Sequence, residues 1–169
     1  SVSRAQLESQ RIELAIEAID VEAAVAEVLA LGAPNLAVRR ISVVSELPAN
    51  LPRVLADRKR LRQVLQNLLD NAVKFSGEGR TVTLRAAATA AGRVAIDVVD
   101  QGIGIAETDL QHLFVPFRQL SQGNTKTHGG AGLGLALARR LVEAQGGSLT
   151  VRSRQGEGST FRIELPAAP

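Results

Sequence analysis

The chain has 169 residues and a net charge of +3, and 45% of its residues are apolar. This length fits one domain that buries most of its apolar surface. The lack of cysteine excludes a disulfide framework and a thiolate metal site, while scattered basic residues and only four aromatic side chains argue against nucleic acid binding. The pattern predicts no apolar run of membrane-spanning length and no signal-peptide core at the start of the chain, so we expect a cytoplasmic domain without membrane contact.

The first third of the chain predicts a strand, a helix and a second strand. Residues 11–19 alternate between apolar and polar side chains, as a half-buried strand does. Asp20 is a candidate N-cap for a helix that ends at Gly32 and Pro34. The inward positions of this helix are Val21, Ala24, Val25, Val28 and Leu29. Residues 41–47 form the next strand.

The middle of the chain predicts a strongly amphipathic helix followed by two strands. Residues 61–76 repeat apolar side chains at the spacing of one helix face. These side chains are Leu61, Leu65, Leu68, Ala72 and Phe75. A short extended piece, residues 54–56, leads to Asp57 as the cap of this helix. Residues 81–88 and 94–99 form the two strands.

The last third predicts a long irregular segment, a second helix and two closing strands. Residues 100–134 show little regular pattern beyond a short helical piece at 107–114, and such a segment in a small domain is usually functional or disordered. Residues 131–145 form the helix, and residues 148–153 and 160–165 form the strands. The hairpin spacing of neighbouring strands indicates an α+β fold, a two-layer α/β sandwich with helices on one face of a mixed, mostly antiparallel sheet.

The polar side of the amphipathic helix carries Asn67, Asn71 and Lys74. Exposed helix positions usually hold Lys, Glu or Arg, and Asn has a low helix propensity. Two Asn residues one turn apart therefore lower stability without an evident structural return. Ordinary exposed polar residues are the alternative for this helix taken alone.

Two glycine-containing motifs lie at the ends of the irregular segment. Asp100 follows a buried strand and can accept hydrogen bonds from a ligand amine, while Gly102 and Gly104 permit close backbone approach. An ordinary turn explains this motif equally well. The second motif, residues 129–135, opens a helix, where free amides and the helix dipole favour an anion such as phosphate. Flexible hinges without a ligand are its alternative.

The segment before these glycines contains Phe114, Phe117 and Arg118. Phe114 fits a loop anchor in the core, whereas Phe117 and Arg118 fit a lid. A turn-forming GEGST segment follows the first closing strand. Its Thr160 becomes interesting only if it lies beside Asp100 across the sheet.

Five motifs in this order resemble the N, G1, F, G2 and G3 boxes of sensor histidine kinases. They are LQNLLDNAVKFS, DQGIGI, FVPFRQL, GGAGLGLALARRLVEAQGG and GEGSTF. The resemblance covers residues 11–166 and implies the Bergerat ATP-binding fold, which gyrase, heat-shock chaperones and mismatch-repair ATPases share. It implies a protein-histidine kinase that uses ATP and Mg²⁺.

The resemblance also implies a role for each motif residue. Asn71 would bind the Mg²⁺ ion that bridges the phosphates, with Asn67 beside it, and Lys74 would contact phosphate as the third catalytic residue. Asp100 would hold the adenine amino group. The other implied nucleotide contacts are Phe75, Gly102, Gly104, Ile105, Phe117, Arg118, Gly130, Gly132, Leu133, Gly134 and Thr160. Residues 115–131 would form the ATP lid.

Transfer to a protein nucleophile is favoured over hydrolysis. Related ATPases activate water with a glutamate four residues before the metal-binding Asn, and here that position is Asn67, which cannot take a proton as a carboxylate does. Neither His112 nor His128 lies in a phosphoacceptor setting. The resemblance therefore implies an acceptor histidine on a separate dimerisation domain of the same protein, and a response regulator as the indirect partner.

We interpret residues 1–10 as a linker or the end of an upstream dimerisation helix, and residues 11–169 as the catalytic domain. The parent protein is compatible with a membrane anchor. Two alternative functions stay open. One is a pseudokinase module that binds ATP and signals without transfer, and the other is a water-using ATPase or serine kinase of the same superfamily.

Overall fold

The computed structural model describes residues 12–115 and 131–169, and one layer of the fold is a five-stranded sheet with the order β2-β4-β5-β7-β6. Its strands are β2 Ser42–Glu46, β4 Thr81–Ala88, β5 Arg93–Asp100, β6 Ser148–Ser153 and β7 Ser159–Pro166. β2 pairs with β4 in parallel, and the remaining pairings are antiparallel. The predicted mixed, mostly antiparallel sheet is confirmed.

The second layer is helical, and its central element is the predicted amphipathic helix. The helices are α1 Val21–Val38, α2 Arg58–Ser76, α3 Glu107–Leu110 and α4 Ala131–Ala144. α2 packs against α1 and α4 and lies on β4 and β5. Leu61, Leu65 and Leu68 of α2 are at most 2% exposed, so the predicted apolar face is the core face. Asp57 caps α2 by accepting a hydrogen bond from the Arg60 amide.

The two faces of the sheet differ in polarity because side chains alternate along each strand. Val94, Ile96 and Val98 of β5 are fully buried in the core that the helices cover. On the other side, Asp97 accepts hydrogen bonds from Arg162 Nε at 2.8 Å and Arg85 Nε at 3.1 Å. We name as the polar face the surface formed by Arg85, Asp97, Thr150, Arg152, Thr160, Arg162 and Glu164.

The polar face holds a buried charge. Asp97 is 3% exposed, and burial alone would raise its pKa, but the guanidinium groups of Arg162 and Arg85 lower the pKa of Asp97 below its usual value. The carboxylate is therefore ionised at neutral pH, and the three side chains link strands β4, β5 and β7.

A separate two-stranded sheet joins the N-terminal part of the domain to the start of α2. β1 Ile16–Ile19 pairs antiparallel with β3 Val54–Asp57. The sequence predicts a strand over 11–19, but residues 12–15 are outside the strand and Ile16 is 48% exposed. The strand is shorter because Asp57, which pairs with Ile16, ends β3 and leaves no further partner residues. Residue 11 lies outside the described residues.

Helix α1 is longer than predicted. The sequence predicts that Gly32 and Pro34 end it, whereas the helix continues to Val38. Proline removes the amide that would bond to the carbonyl of Ala30, but both residues are exposed, so water can satisfy that carbonyl. Gly32 does not end the helix but lies against α2, since a Cβ at this position would lie 3.4 Å from Leu69 Cδ2.

The added length also corrects the expectation about apolar runs. With 18 residues and a mean hydropathy of 1.5, α1 is long and apolar enough to cross a membrane by composition alone, although 22% of it is buried within the fold. Val21, Val25 and Val28 belong to the hydrophobic core. The apolar run reaches this length only because the helix continues through Pro34 to Val38.

Candidate functional site

The two carboxamides predicted on α2 lie in contact. Asn71 Nδ2 donates a hydrogen bond to Asn67 Oδ1 at 3.3 Å. Asn71 is 4% exposed, so it is not the ordinary solvated residue that the alternative interpretation requires. Because this bond uses the amide nitrogen, Asn71 Oδ1 is the atom that can act as an oxygen ligand.

The opening of α4 packs directly on this pair. A Cβ added at Gly134 would lie 2.6 Å from Asn67 Nδ2, closer than side-chain contacts allow. A larger residue at this position would push the Asn67 carboxamide aside, so glycine keeps the first turn of α4 against it. Asn67 Nδ2 and the amides of a helix N-terminus are all donors, and together they attract phosphate oxygens.

The loop that follows Asp100 is anchored on the C-terminal end of α2. The Ile103 amide donates to the Phe75 carbonyl at 3.2 Å, and a Cβ at Gly102 would overlap the same carbonyl oxygen. Lys74 and Phe75 are half-buried. A glycine is therefore required at position 102, because the backbone of the loop lies against the backbone of α2 at Phe75.

The same loop is also anchored on the β6–β7 hairpin. Gly104 has a φ of +71°, and a Cβ there would overlap the Arg154 carbonyl. The Ile105 amide donates to Ser153 Oγ at 2.8 Å. Both Gly104 and Ile105 are buried. These contacts hold the loop between α2 and the hairpin and fix the end of β5.

Asp100 is a buried carboxylate at that strand end. It is 5% exposed, and its Oδ1 accepts the Gly102 amide at 2.9 Å. Burial raises the pKa of Asp100 to about 6, although hydrogen bonds from the Gly102 and Ser159 amides oppose this rise. A buried carboxylate with a strongly perturbed pKa is typical of a functional site.

Ser159, and not Thr160, lies opposite Asp100. The register of β5 and β7 pairs Asp100 with Ser159 and Val99 with Thr160. Because successive residues point to opposite sides of a sheet, Ser159 shares the helix side with Asp100, whereas Thr160 belongs to the polar face. The residue directly across from Asp100 is therefore Ser159, while Thr160 lines the same cavity as Asp100, and its predicted contact with the nucleotide stays a prediction. The sequence alone does not give the register of β5 and β7, which decides which hydroxyl lies across from Asp100.

A cavity of about 500 Å³ opens at this end of the sheet. Asp100 and Ser159 line it together with Leu110 and Val151. Its volume is in the range of small-molecule sites.

Phe114 has the predicted role of a loop anchor. It is half-buried and packs against the core, and the Arg139 guanidinium carbon of α4 lies 4.8 Å from the centre of its ring. This contact connects the segment after α3 to α4. His112 is half-buried nearby in the chain.

Several predicted contacts lie outside the described residues. They are Phe117, Arg118 and Gly130, and His128 lies there too. Gly132 and Leu133 are in the first turn of α4. Within residues 12–115 and 131–169, no three Asp, Glu, His or Cys side chains cluster to hold a metal ion. A Mg²⁺ ion at Asn71 fits this donor set if phosphate and water oxygens supply its other ligands, as is usual for Mg²⁺.

Known proteins match most of the chain. The profile of the family described as histidine kinase-, DNA gyrase B-, and HSP90-like ATPase matches residues 56–169. The adaptive-response sensory kinase SasA of Parasynechococcus marenigrum is 40% identical over 128 residues, which are 76% of this chain and 33% of SasA. The chain spans about a third of the length of the first curated relatives.

Solved histidine kinase structures share the fold. Full-length ShkA in complex with AMPPNP aligns with a TM-score of 0.83 and 38% identity, over 97% of this chain and 34% of ShkA. The catalytic domain of histidine kinase ThkA aligns with a TM-score of 0.78 and 28% identity, over 91% of this chain and 97% of that domain. ThkA in complex with the response regulator protein TrrA aligns with a TM-score of 0.75 and 26% identity, over 91% of this chain and 42% of that ThkA chain.

Proposed function

Because the chain belongs to the family of histidine kinase-, DNA gyrase B- and HSP90-like ATPases, we propose that it binds Mg-ATP and transfers the γ-phosphoryl group to a histidine on a separate dimerisation domain. It would thus be the catalytic domain of a sensor histidine kinase in two-component signal transduction. The contact between Gly134 and Asn67 carries the proposal, because it brings the opening of α4 onto the carboxamide pair of α2.

The phosphate end of the site would be formed by α2 and α4. Asn71 Oδ1 would bind Mg²⁺, which neutralises phosphate charge, while Asn67 Nδ2 and Lys74 would contact phosphate oxygens. Phosphoryl transfer depends mainly on such positioning and charge neutralisation. The first-turn amides of α4, at Gly132, Leu133 and Gly134, would add neutral donors. Gly130, Phe117 and Arg118 are proposed to complete the phosphate side.

The base end of the site would be formed by Asp100. Its carboxylate is ionised above a pKa of about 6, and it would then accept a hydrogen bond from the adenine amine. Phe75 would lie against the base. The anchored loop with Gly102, Gly104 and Ile105 would fix the carboxylate in place.

The phosphoryl acceptor would be supplied by another domain of the same protein. Asn67 cannot act as a carboxylate base toward water, which favours transfer over hydrolysis. ThkA has been solved in complex with the response regulator protein TrrA, which supports a response regulator as the indirect partner. We place the domain in the cytoplasm, where a membrane-anchored parent protein would also present it.

Titrating ATP with and without Mg²⁺ tests the site. Replacing Asn71 with Ala removes the proposed metal ligand, so the Mg²⁺-dependent part of ATP affinity should fall roughly tenfold or more. Gln66→Ala is the matched control, because Gln66 is an exposed carboxamide on the same helix. Unchanged ATP affinity in both Asn71→Ala and Asp100→Asn would refute the site.

A second experiment separates kinase activity from the other functions of the superfamily. We expect the domain to label a supplied dimerisation domain on histidine while turning over little ATP alone. Steady ATP hydrolysis without labelling would indicate an ATPase, and a labelled serine would indicate a serine kinase. ATP binding with neither outcome would indicate a nucleotide-sensing module.

A further inference from the structure

Ser153, the last residue of β6, is the centre of a hydrogen-bond cluster beside Asp100. Its Oγ lies 2.8 Å from the Ile105 amide nitrogen and 2.8 Å from the Gly158 carbonyl oxygen. It also lies 2.8 Å from Ser159 Oγ. One hydroxyl therefore contacts the loop after β5, the hairpin turn and the residue that pairs with Asp100.

The chemistry of these neighbours fixes the direction of each hydrogen bond. A serine hydroxyl donates one proton and accepts up to two. The Gly158 carbonyl can only accept, so Ser153 donates to it, and the Ile105 amide can only donate, so Ser153 accepts from it. The third bond must then run from the Ser159 hydroxyl to Ser153.

Ser159 is thereby left as an acceptor toward the cavity. It donates its only proton to Ser153, so its two lone pairs can only receive hydrogen bonds. Asp100, which pairs with Ser159 across β5 and β7, is likewise an acceptor when ionised. Both residues line the same cavity, and neither then offers a side-chain donor to a ligand.

We propose that Ser153 is a positioning residue that makes this end of the site select a purine with an amine at position six. The inference rests on the proposed function, because it assigns how the ATP base is read. An adenine amine donates to these acceptors, directly or through one water. Hypoxanthine carries a carbonyl at the same position, and two facing acceptors disfavour it.

The test compares ATP and ITP affinities in the presence of Mg²⁺. The wild-type chain should prefer ATP by roughly tenfold or more, since a wrong base leaves buried polar groups unpaired. In Ser153→Ala the Ser159 hydroxyl can rotate and donate to a carbonyl. The ATP preference should therefore fall roughly tenfold.

Two variants serve as controls. Ser153→Thr keeps a hydroxyl and should keep the ATP preference. Thr150→Ala, on the same strand but on the polar face, should change neither affinity. If Ser153→Ala unfolds, Ser159→Ala provides the second route: it removes the oriented hydroxyl and should also lower the ATP preference.

Equal losses of ATP and ITP affinity in Ser153→Ala would show that Ser153 only supports the loop, which overturns the inference. A wild-type chain that binds ATP and ITP equally well would also overturn it, while leaving the proposed function intact. A wild-type chain that binds neither nucleotide would remove both.

Discussion

Among single residues, Asp100 is a buried carboxylate whose proposed contact with a ligand is set against the stability of the empty domain. Its folded-state pKa is about 6, whereas the ordinary value is 3.8. Between these two pH values the unfolded chain loses the proton and the folded chain keeps it, so stability falls as pH rises through this window. Above pH 6 the folded protein carries the full cost of a buried charge, which the proposed ligand amine would offset.

Asp100→Asn should therefore stabilise the nucleotide-free domain at neutral pH. The gain in the free energy of unfolding should reach up to about 3 kcal/mol at pH 7.5 and should disappear below about pH 3, where the wild-type carboxyl is protonated in both states. Urea denaturation of both proteins at the two pH values measures it. A variant that is less stable than the wild type at pH 7.5 would contradict the argument.

The same residue predicts how ATP affinity depends on pH. Wild-type affinity should fall as pH drops from 7 to 5, because a protonated Asp100 loses acceptor capacity toward the amine. Asp100→Asn is the control, since it removes this carboxyl and retains every other titrating group, including the nucleotide phosphates. Parallel pH profiles for the two proteins would argue against Asp100 as the amine acceptor.

Residues with distinctive chemistry could be identified from sequence, and residues defined by register could not. Asn67 and Asn71 were recognisable because paired carboxamides are unusual on a helix. Ser159 was missed in favour of Thr160 because both are hydroxyl residues in one turn. A shift of one residue changes the side of the sheet, and only the observed pairing with Asp100 decides it.

Among the secondary-structure elements, α2 and α4 are joined at a second point away from Asn67. Gln145 follows α4 and is 7% exposed, and its Oε1 accepts the Asp57 amide at 2.8 Å while its Nε2 donates to the Leu141 carbonyl at 2.8 Å. Asp57 in turn caps α2 and accepts the Ala15 amide at 2.8 Å. This cluster fixes the start of α2 relative to the end of α4.

Gln145→Leu should lower the free energy of unfolding by about 1–3 kcal/mol, because the buried Asp57 amide would lose its acceptor. Chemical denaturation measures the change. Gln66→Leu, at an exposed position of α2, is the matched control and should stay within about 0.5 kcal/mol of the wild type. Equal effects in the two variants would show that the cluster does not stabilise the domain.

The course of α1 shows what sequence can predict about an element. Its start followed from the Asp20 cap and the spacing of apolar residues, and the structure confirms both. Its end did not follow, because a proline such as Pro34 is tolerated when the carbonyl it leaves unpaired faces water. Exposure of Ala30 is a property of the folded protein.

For the molecule as a whole, the pairing of β1 with β3 bears on where the domain begins. A chain starting at Ile12 should unfold at the same temperature as the full chain, whereas a chain starting at Asp20 should lose about 2–4 kcal/mol. The second truncation removes the buried Ile19 side chain and the Ala15 hydrogen bond to Asp57. Thermal and urea denaturation measure both. A chain from Ile12 as unstable as the chain from Asp20 would move the proposed boundary upstream.

The fold class could be predicted because five ordered motifs and the strand spacing agreed with one architecture. The strand order could not, since it depends on contacts between distant segments. Neither the parallel pairing of β2 with β4 nor the separation of β1 and β3 into their own sheet has a local signal.

The polar face also makes the domain one-sided. α2, α4 and Asp100 all lie on the other side of the sheet, so in the proposed function the phosphoacceptor histidine must approach the nucleotide from that side. Thr150 is exposed on the reverse side. Because the chain has no cysteine, a fluorescent dye or a tether to a sensor chip attached through Thr150→Cys would leave the side with the candidate site open to solvent.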